Sequence, residues 1–413
     1  MREKKNKNVC IVVLGDIGRS PRMQYHAQSL INEGFDVDII GYLESPVLTG
    51  IKEKSNIISL KKVPSFEKYV PRLMSFILKV YWQILTLFWA ILIKRKSDIV
   101  LVQNPPAIPT LAICWFYCLL VNAKFIIDWH NYAYSVLALT VGKSAPLVKL
   151  SLLYEKFFGK LADANFCVTK AMREDLAVNW NIRALTLFDK PGQQFSTKVT
   201  KAEKIRVLKS INLPSLVEEQ LVTGQIGLLV SSTSWTPDED FFILLRSLQK
   251  YDESDDTYPK LVCVITGKGP LKYHYQQVIS KIIWKKVTIV TPWLQNEDYP
   301  ILLASADLGV CLHNSSSGLD LPMKVIDMFG VCLPVCAYNF NCLHELVKHN
   351  ENSLVFSDEE ELSLQISTWF KGFPKEICEK KEQFCTEINK FRSTDWHTNW
   401  MAVAFPYILN IDK

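Results

Sequence analysis

The strongest constraint on this chain is a rhythm: short apolar runs, each followed by a longer helical pattern, in two successive series. In the first series the strand candidates are Val9–Leu14, Val37–Gly41, Ile57–Leu60, Ile99–Val102, Phe125–Asp128 and Asn165–Val168, with helices expected at Arg22–Glu33 and Leu147–Leu161. The second series follows a Lys/Glu-rich stretch, Gln193–Gln225, and offers Ile226–Ser231, Lys260–Thr266, Val287–Val290, Leu308–Leu312 and Val331–Ala337. Strands separated by helical patterns imply a parallel sheet with crossover helices. The expected architecture is therefore α/β: two Rossmann-like, doubly wound domains facing a cleft, with ligands beyond the carboxyl ends of the strands. The boundaries read as an N-terminal domain over residues 1–192, an irregular linker over 193–225 and a C-terminal domain over 226–390. The tail, residues 391–413, carries Trp396, Trp400, Phe405 and Tyr407 and is expected to pack back toward the first domain.

A length of 413 residues fits about two domains, and 48% hydrophobic against 22% charged residues describes a folded protein. The net charge of +5 comes from scattered basic residues, which excludes a nucleic-acid stripe. Eleven cysteines fall mostly inside apolar runs and form no CxxC pair, so they read as buried free thiols in a reducing compartment. Met1–Asn8 is polar and runs directly into the first strand candidate, so no signal peptide is expected and the start of the chain reads as cytosolic.

Leu73–Ile93 stands apart from the rhythm. Only Ser75, Lys79, Gln83 and Thr86 are polar in it, and Arg72 and Lys94-Arg95-Lys96 flank it. Its length would permit a membrane span. A single span would put Val9–Leu14 and Ile99–Val102 on opposite sides, yet one sheet needs both. The reading is a helix lying in the plane of a membrane, with basic flanks at the headgroups; the alternative is a core helix of the first domain. The apolar run Pro105–Val121 extends the same surface.

Polar groups gather where strands end. Gly15-Asp16-Ile17-Gly18-Arg19 and Arg22 put two glycines, two cations and an acid after the first strand, suited to a phosphate and a general base. Asp128 and His130 end another strand, where the imidazole could take a proton with the acid orienting it. Thr266-Gly267-Lys268-Gly269 and Trp293 lie at strand ends of the second series and suit a nucleotide. Ser315-Ser316-Ser317-Gly318 leads into a helix carrying Lys324 and Asp327: an anion loop, a cation and an acid placed to accept from a sugar diol. Asp320 in this loop reads as structural. Asp238 and Asp240 form a DxD triplet at a helix start, where acids cap the helix, so no metal site is expected.

Seven motifs together carry a resemblance: GDIGRSPRMQYHA (Gly15–Ala27), VQNPP (Val102–Pro106), IDWHNY (Ile127–Tyr132), YEKFFG (Tyr154–Gly159), VTKAMREDL (Val168–Leu176), STSWTPDEDF (Ser232–Phe241) and SSSGLDLPMKVIDMFG (Ser315–Gly330). In this order they resemble the chitobiosyldiphosphodolichol β-mannosyltransferases over nearly the whole chain. That resemblance implies a GT-B glycosyltransferase on the cytoplasmic face of the endoplasmic reticulum membrane. It would transfer mannose from GDP-mannose to GlcNAc2-diphosphodolichol in an inverting step, with no cofactor; other transferases of the pathway are candidate partners. On that scheme Ser316, Ser317, Gly318 and Lys324 hold the leaving diphosphate, Asp327 the ribose, and Gly267, Lys268 and Trp293 line the nucleotide pocket. Gly15, Gly18, Arg19 and Arg22 would hold the acceptor diphosphate, with Asp16 the first candidate for the base and His130 the second. Where many GT-B relatives carry an Arg and a Lys after the second domain's first strand, this chain has Ser231-Ser232-Thr233-Ser234, which shifts weight onto Lys324. Two rival readings stand beside this one: another donor such as UDP-GlcNAc, and an inactive scaffold.

Overall fold

A computed structural model describes residues 7–195, 198–237, 239–255 and 257–410. It divides into two units, one formed by residues up to Asp189 and from Trp396 onward, the other by Lys190–Asp395.

In the first unit the chain runs β1 (Asn8–Asp16), α1 (Pro21–Asn32), β2 (Asp36–Tyr42), α2 (Thr49–Lys54), β3 (Asn56–Ser59) and α3 (Arg72–Ile93). It continues through β4 (Ile99–Asn104), α4 (Thr110–Val121), β5 (Lys124–Trp129), α5 (Ala133–Val141) and α6 (Pro146–Leu161). β6 (Ala164–Cys167), α7 (Lys170–Trp180) and the short β7 (Leu185–Thr186) complete the first pass. All seven strands pair in parallel in the order β3-β2-β1-β4-β5-β6-β7. β1 and β4 are central and almost wholly buried, which is why their sequences are continuous Val/Ile/Leu runs without alternation.

The second unit opens with α8 (Lys201–Ser210) and α9 (Ser215–Val222), then β8 (Gly227–Ser232), α10 (Phe241–Asp252), β9 (Leu261–Thr266) and α11 (Lys272–Ser280). β10 (Val287–Val290), α12 (Asp298–Ser305), β11 (Leu308–Cys311), α13 (Met323–Gly330) and β12 (Val335–Tyr338) follow. β13 (Leu354–Phe356), α14 (Glu359–Phe370) and α15 (Lys375–Arg392) close it, and the parallel order is β10-β9-β8-β11-β12-β13. In both sheets the strand order thus reverses between the first and fourth strands, the place where doubly wound sheets open a crevice.

The stretch 193–225, expected to be irregular, carries two helices instead. Thr200 and Glu203 form a capping box at the start of α8. Val207, Leu208, Ile211 and Leu221 then bury in the core of the second unit, so the segment is part of that unit. α15 likewise extends to Arg392 inside the second unit, and the returning tail begins at Trp396. Its helices, α16 (Trp396–Val403) and α17 (Phe405–Asn410), place Trp396, Trp400, Ala404 and Ile408 in the core beneath α1 and β1. Trp396 meets the rings of Tyr25 and His26 at 5.7 and 5.1 Å.

α3 is not a core helix: only 17% of its most apolar window is buried. Its polar side chains turn toward the domain. Lys79 bonds Glu67, and the Trp82 indole donates to the Lys61 carbonyl. Ile77, Tyr81, Leu85 and Trp89 face outward. Among the described residues ten cysteines are free thiols, nine of them buried.

Candidate functional site

In the first unit the residues after β1 make a tight turn of 3-10 helix, Ile17–Arg19, capped by Asp16. Asp16 Oδ1 accepts from three amides, those of Gly18 (3.2 Å), Glu44 (3.1 Å) and Ser45 (3.1 Å). Burial opposes its charge, but Ser45, Glu44 and Gly18 outweigh it and hold the carboxyl below the usual range. Oδ2 is buried without a hydrogen bond, and Arg19 Nε stands 3.6 Å away on a mostly exposed side chain. Gly18 is required by packing: a Cβ there would meet the carbonyl oxygens of Ser45 and Pro46 at 2.6 Å. Gly15 has room for one, its nearest neighbour being Val13 Cγ1 at 3.8 Å.

Arg22, expected at an acceptor diphosphate, lies inside the domain instead. Its Nε and Nη2 donate to the two oxygens of Asp128, both at 2.8 Å, and Nη1 donates to Asp189 Oδ1 (2.8 Å) and the Leu187 carbonyl (2.7 Å). The guanidinium also stacks 5.3 Å over Trp396. Burial works against this charge, yet Asp128 and then Asp189 hold its pKa above the ordinary value. With four N–H groups committed and 2% of the residue exposed, Arg22 holds Asp128 in place rather than reaching a ligand.

Asp128 is also the partner of both histidines. His26 Nδ1 accepts from the Trp400 indole at 3.0 Å, and an indole N–H can only donate, so the His26 proton sits on Nε2, 3.2 Å from Asp128 Oδ2. Burial holds His26 below its ordinary pKa, and hence neutral. His130 Nε2 lies 2.9 Å from the same oxygen. Burial would raise the Asp128 pKa, but Arg22 and then His130 hold it well below the usual carboxylate range. Asp128 therefore accepts the His130 Nε2–H and leaves Nδ1 as the basic nitrogen on a partly exposed ring.

Glu155 lies in the YEKFFG motif, where the sequence points to no role for it. It is fully buried in α6 and accepts from Asn104 Nδ2 (2.8 Å) and from the amides of Ala133 (2.7 Å) and Tyr134 (2.9 Å) at the start of α5. Burial pushes its carboxyl up to about 7 against those bonds.

In the second unit the expected residues converge on the carboxyl ends of β8, β9, β10 and β11. Lys324, in the first turn of α13, donates to Glu239, an almost fully buried acid from the loop after β8. The other Glu239 oxygen accepts from Thr233 Oγ1 and from the Ser234 amide (3.2 Å), and Thr233 Oγ1 accepts from the Trp235 amide at 2.7 Å. This chain bridges the loops of β8 and β11, the neighbouring strands where the sheet order reverses. Asp240 caps α10 by accepting from Phe242 N at 2.9 Å; Asp238 lies outside the described residues.

Gly267 presses against the same loop. It has φ +132°, and a Cβ there would come within 1.8 Å of the Thr233 carbonyl oxygen. Beside it, Lys268 Nζ lies 3.7 Å over the half-exposed ring of Trp293. Gly267, Lys268 and Trp293 are thus brought together. The loop after β11 is braced by Asp320, which accepts from Ser315 Oγ and faces His313 Nε2 at 3.2 Å. Gly318 supplies φ +74° and donates its amide to Ser315 Oγ at 2.9 Å, while Ser317 Oγ accepts from the Leu319 amide at 3.2 Å. Ser316 occupies the same loop, between these two bracing serines. Asp327, one turn beyond Lys324, neighbours Tyr299; burial, then that carboxylate, push the Tyr299 phenol up, and its hydroxyl donates to Ser232 Oγ at 3.0 Å.

Comparison with known proteins gives this geometry a lineage. Residues 22–187 match the model of Glycosyltransferase Family 4, and residues 221–384 that of Glycosyl transferases group 1. Among solved structures, a sucrose-phosphate synthase from Thermosynechococcus elongatus superposes with TM-score 0.70 at 13% identity over 98% of both chains. WaaG, a glycosyltransferase involved in lipopolysaccharide biosynthesis, superposes with TM-score 0.65 at 12% identity, covering 97% of this chain and 99% of its own. At such identities these two likenesses speak to the fold, which is GT-B. The human chitobiosyldiphosphodolichol beta-mannosyltransferase is 44% identical over 99% of this chain and 94% of its own length. The Dictyostelium discoideum protein of that name is 37% identical over 96% and 92%. An Arabidopsis thaliana relative, the UDP-glycosyltransferase TURAN, is 40% identical over 98% of each. Near-complete coverage at these identities, on two sheets that reverse where the polar residues gather, places the chain in the chitobiosyldiphosphodolichol beta-mannosyltransferase family.

Proposed function

We propose that this enzyme transfers mannose from GDP-mannose to GlcNAc2-diphosphodolichol in a β-1,4 linkage, at the cytoplasmic face of the endoplasmic reticulum membrane. What carries the reading is the full-length similarity to the human mannosyltransferase, which spans both units. The product is β-linked and the donor α-linked, so one in-line displacement suffices. The acceptor's 4-hydroxyl oxygen attacks C1 of mannose, the C1–O bond to phosphate breaks, and GDP leaves with the electron pair.

Lys324 and the Ser316–Gly318 loop take the developing charge on the leaving diphosphate, where electrostatic stabilisation has its largest effect. In the free protein Lys324 is held by Glu239, so the donor's phosphates compete with a carboxylate for it. Asp327 accepts from the ribose, and Gly267, Lys268 and Trp293 line the nucleotide pocket. Of the two candidate bases, His130 is favoured over Asp16: its Nε2 faces Asp128, which leaves Nδ1 to take the acceptor's proton, whereas the Asp16 carboxylate is held in a stable charged form by three amides. Gly15, Gly18 and Arg19 remain the acceptor-side candidates. α3 lies in the plane of the membrane, which its outward apolar and inward polar faces support.

The test supplies a GlcNAc2-diphospho-lipid with radiolabelled GDP-mannose or UDP-GlcNAc. Transfer from GDP-mannose is expected, and transfer only from the UDP sugar would overturn the donor assignment. The Arabidopsis relative's name, a UDP-glycosyltransferase, makes that second arm necessary. His130→Asn should lower kcat on the order of 100-fold or more, and Asp327→Ala should raise the donor KM.

A further inference from the structure

We infer that the outer face of α5 and α6 docks on the surface of an anionic lipid bilayer. The inference builds on the reading of α3 in one respect, the continuity of the surface: α3 packs on α4, α4 on α6 and α6 on α5.

α6 buries one clean stripe, Val148, Ser151, Glu155, Phe158 and Gly159, at the spacing of a helix face. On a helix of an ordinary soluble domain the opposite face would be polar. Here it shows Leu150, Leu153 and Phe157, each more than half exposed, and α5 adds Leu139 at 59%. Interleaved with them are exposed Lys149 and Lys160, with Lys143 on the turn between the two helices. None of the three pairs with an acid among the described residues. The one acid from Ala133 to Leu161 is Glu155, and it is buried with its oxygens bonded inward.

An apolar surface studded with unneutralised lysines fits a bilayer better than water or an apolar protein partner. The leucines and the phenylalanine enter the acyl boundary while the lysine stems reach up to phosphate headgroups. The surface also differs from α3, whose exposed residues are almost wholly apolar and whose one internal lysine is turned to Glu67. α3 can supply burial in any bilayer; α5 and α6 supply preference for anionic lipid.

The experiment floats the intact protein with vesicles of phosphatidylcholine alone or with added phosphatidylinositol. Replacing Lys143, Lys149 and Lys160 with Gln should weaken binding to the anionic vesicles by on the order of 100-fold at low salt and leave neutral vesicles unaffected. Leu150→Ser with Leu153→Ser and Phe157→Ser should weaken binding to both by about tenfold or more. Full binding by both variants would overturn the inference, as would loss of self-association in place of lipid binding. If Leu85, Phe88 and Trp89 changed to Ser abolish binding while these variants keep it, α3 docks alone and this inference fails. The converse result supports this face and removes α3. A light-activated apolar label in the vesicles, applied to the unaltered protein, should mark residues 146–161; labelling confined to α3 contradicts the proposal without any mutation.

Discussion

The two units share one strand order but place their key cation differently. In the first, Arg22 is sealed in the domain between Asp128 and Asp189, and the group it presents outward is the His130 ring. In the second, Lys324 is partly exposed, and the group sealed beneath it is Glu239. The same reversal of strand order thus serves opposite electrostatic designs. In one unit a buried positive charge fixes Asp128 and, through it, the His130 ring; in the other a buried negative charge holds the Lys324 amine. The outer surfaces differ in parallel. Large apolar side chains crowd α3 to α6 in the first unit, whereas the second exposes only Leu216, Tyr273, Ile283, Trp293 and Leu364 among its described residues.

The largest effect should come from exchanging the two cations for alanine. Arg22→Ala strands a buried carboxylate and should cost the first unit about 3–5 kcal/mol in urea unfolding, with GDP binding by the second unit preserved. Lys324→Ala should abolish most turnover yet cost about 1 kcal/mol, because Thr233 and Ser234 still bond Glu239. Equal stability losses in both variants would break the comparison. Next in size is a pair of glycines. Gly267→Ala forces a Cβ onto the Thr233 carbonyl at a positive φ and should cost about 2–4 kcal/mol. Gly15→Ala should change thermal stability by no more than about 0.5 kcal/mol.

The smallest effect is a pH slope. His26 is depressed below 6.5, so the unfolded chain takes up its proton first as the pH falls. The stability contributed by neutral His26 is present above pH 6.5 and lost as the pH drops through its folded value. The first unit's unfolding midpoint should therefore fall on acidification below pH 6.5, and His26→Asn should flatten that slope. An unchanged slope in the variant would assign it to another group.

The central strands were legible in the sequence because strands buried on both faces must be continuous apolar runs, as Val9–Leu14 and Ile99–Val102 are. β7 and β13, two and three residues long, leave no such trace. The helices within 193–225 had a signal, Thr200 three residues before Glu203, but the Lys/Glu-rich composition masked it. Arg22 was expected at a diphosphate because nothing near it in sequence shows Asp128, 106 positions away. Glu239 was hidden for a related reason: it sits between two acids in the sequence, and only the fold shows that it is buried. Lys268 and Trp293, by contrast, meet as their places at strand ends led one to expect, since such places are set by topology.

The return of the tail to the first unit has a consequence for synthesis. A ribosome delivers residues 190–395 before it releases Trp396, Trp400 and Ile408, on which the first unit's core depends. The second unit can therefore close while the first still lacks a wall, reversing the usual order in which domains mature along a nascent chain. A chain arrested after Asp395 should carry a protease-resistant second unit and a digestible first one.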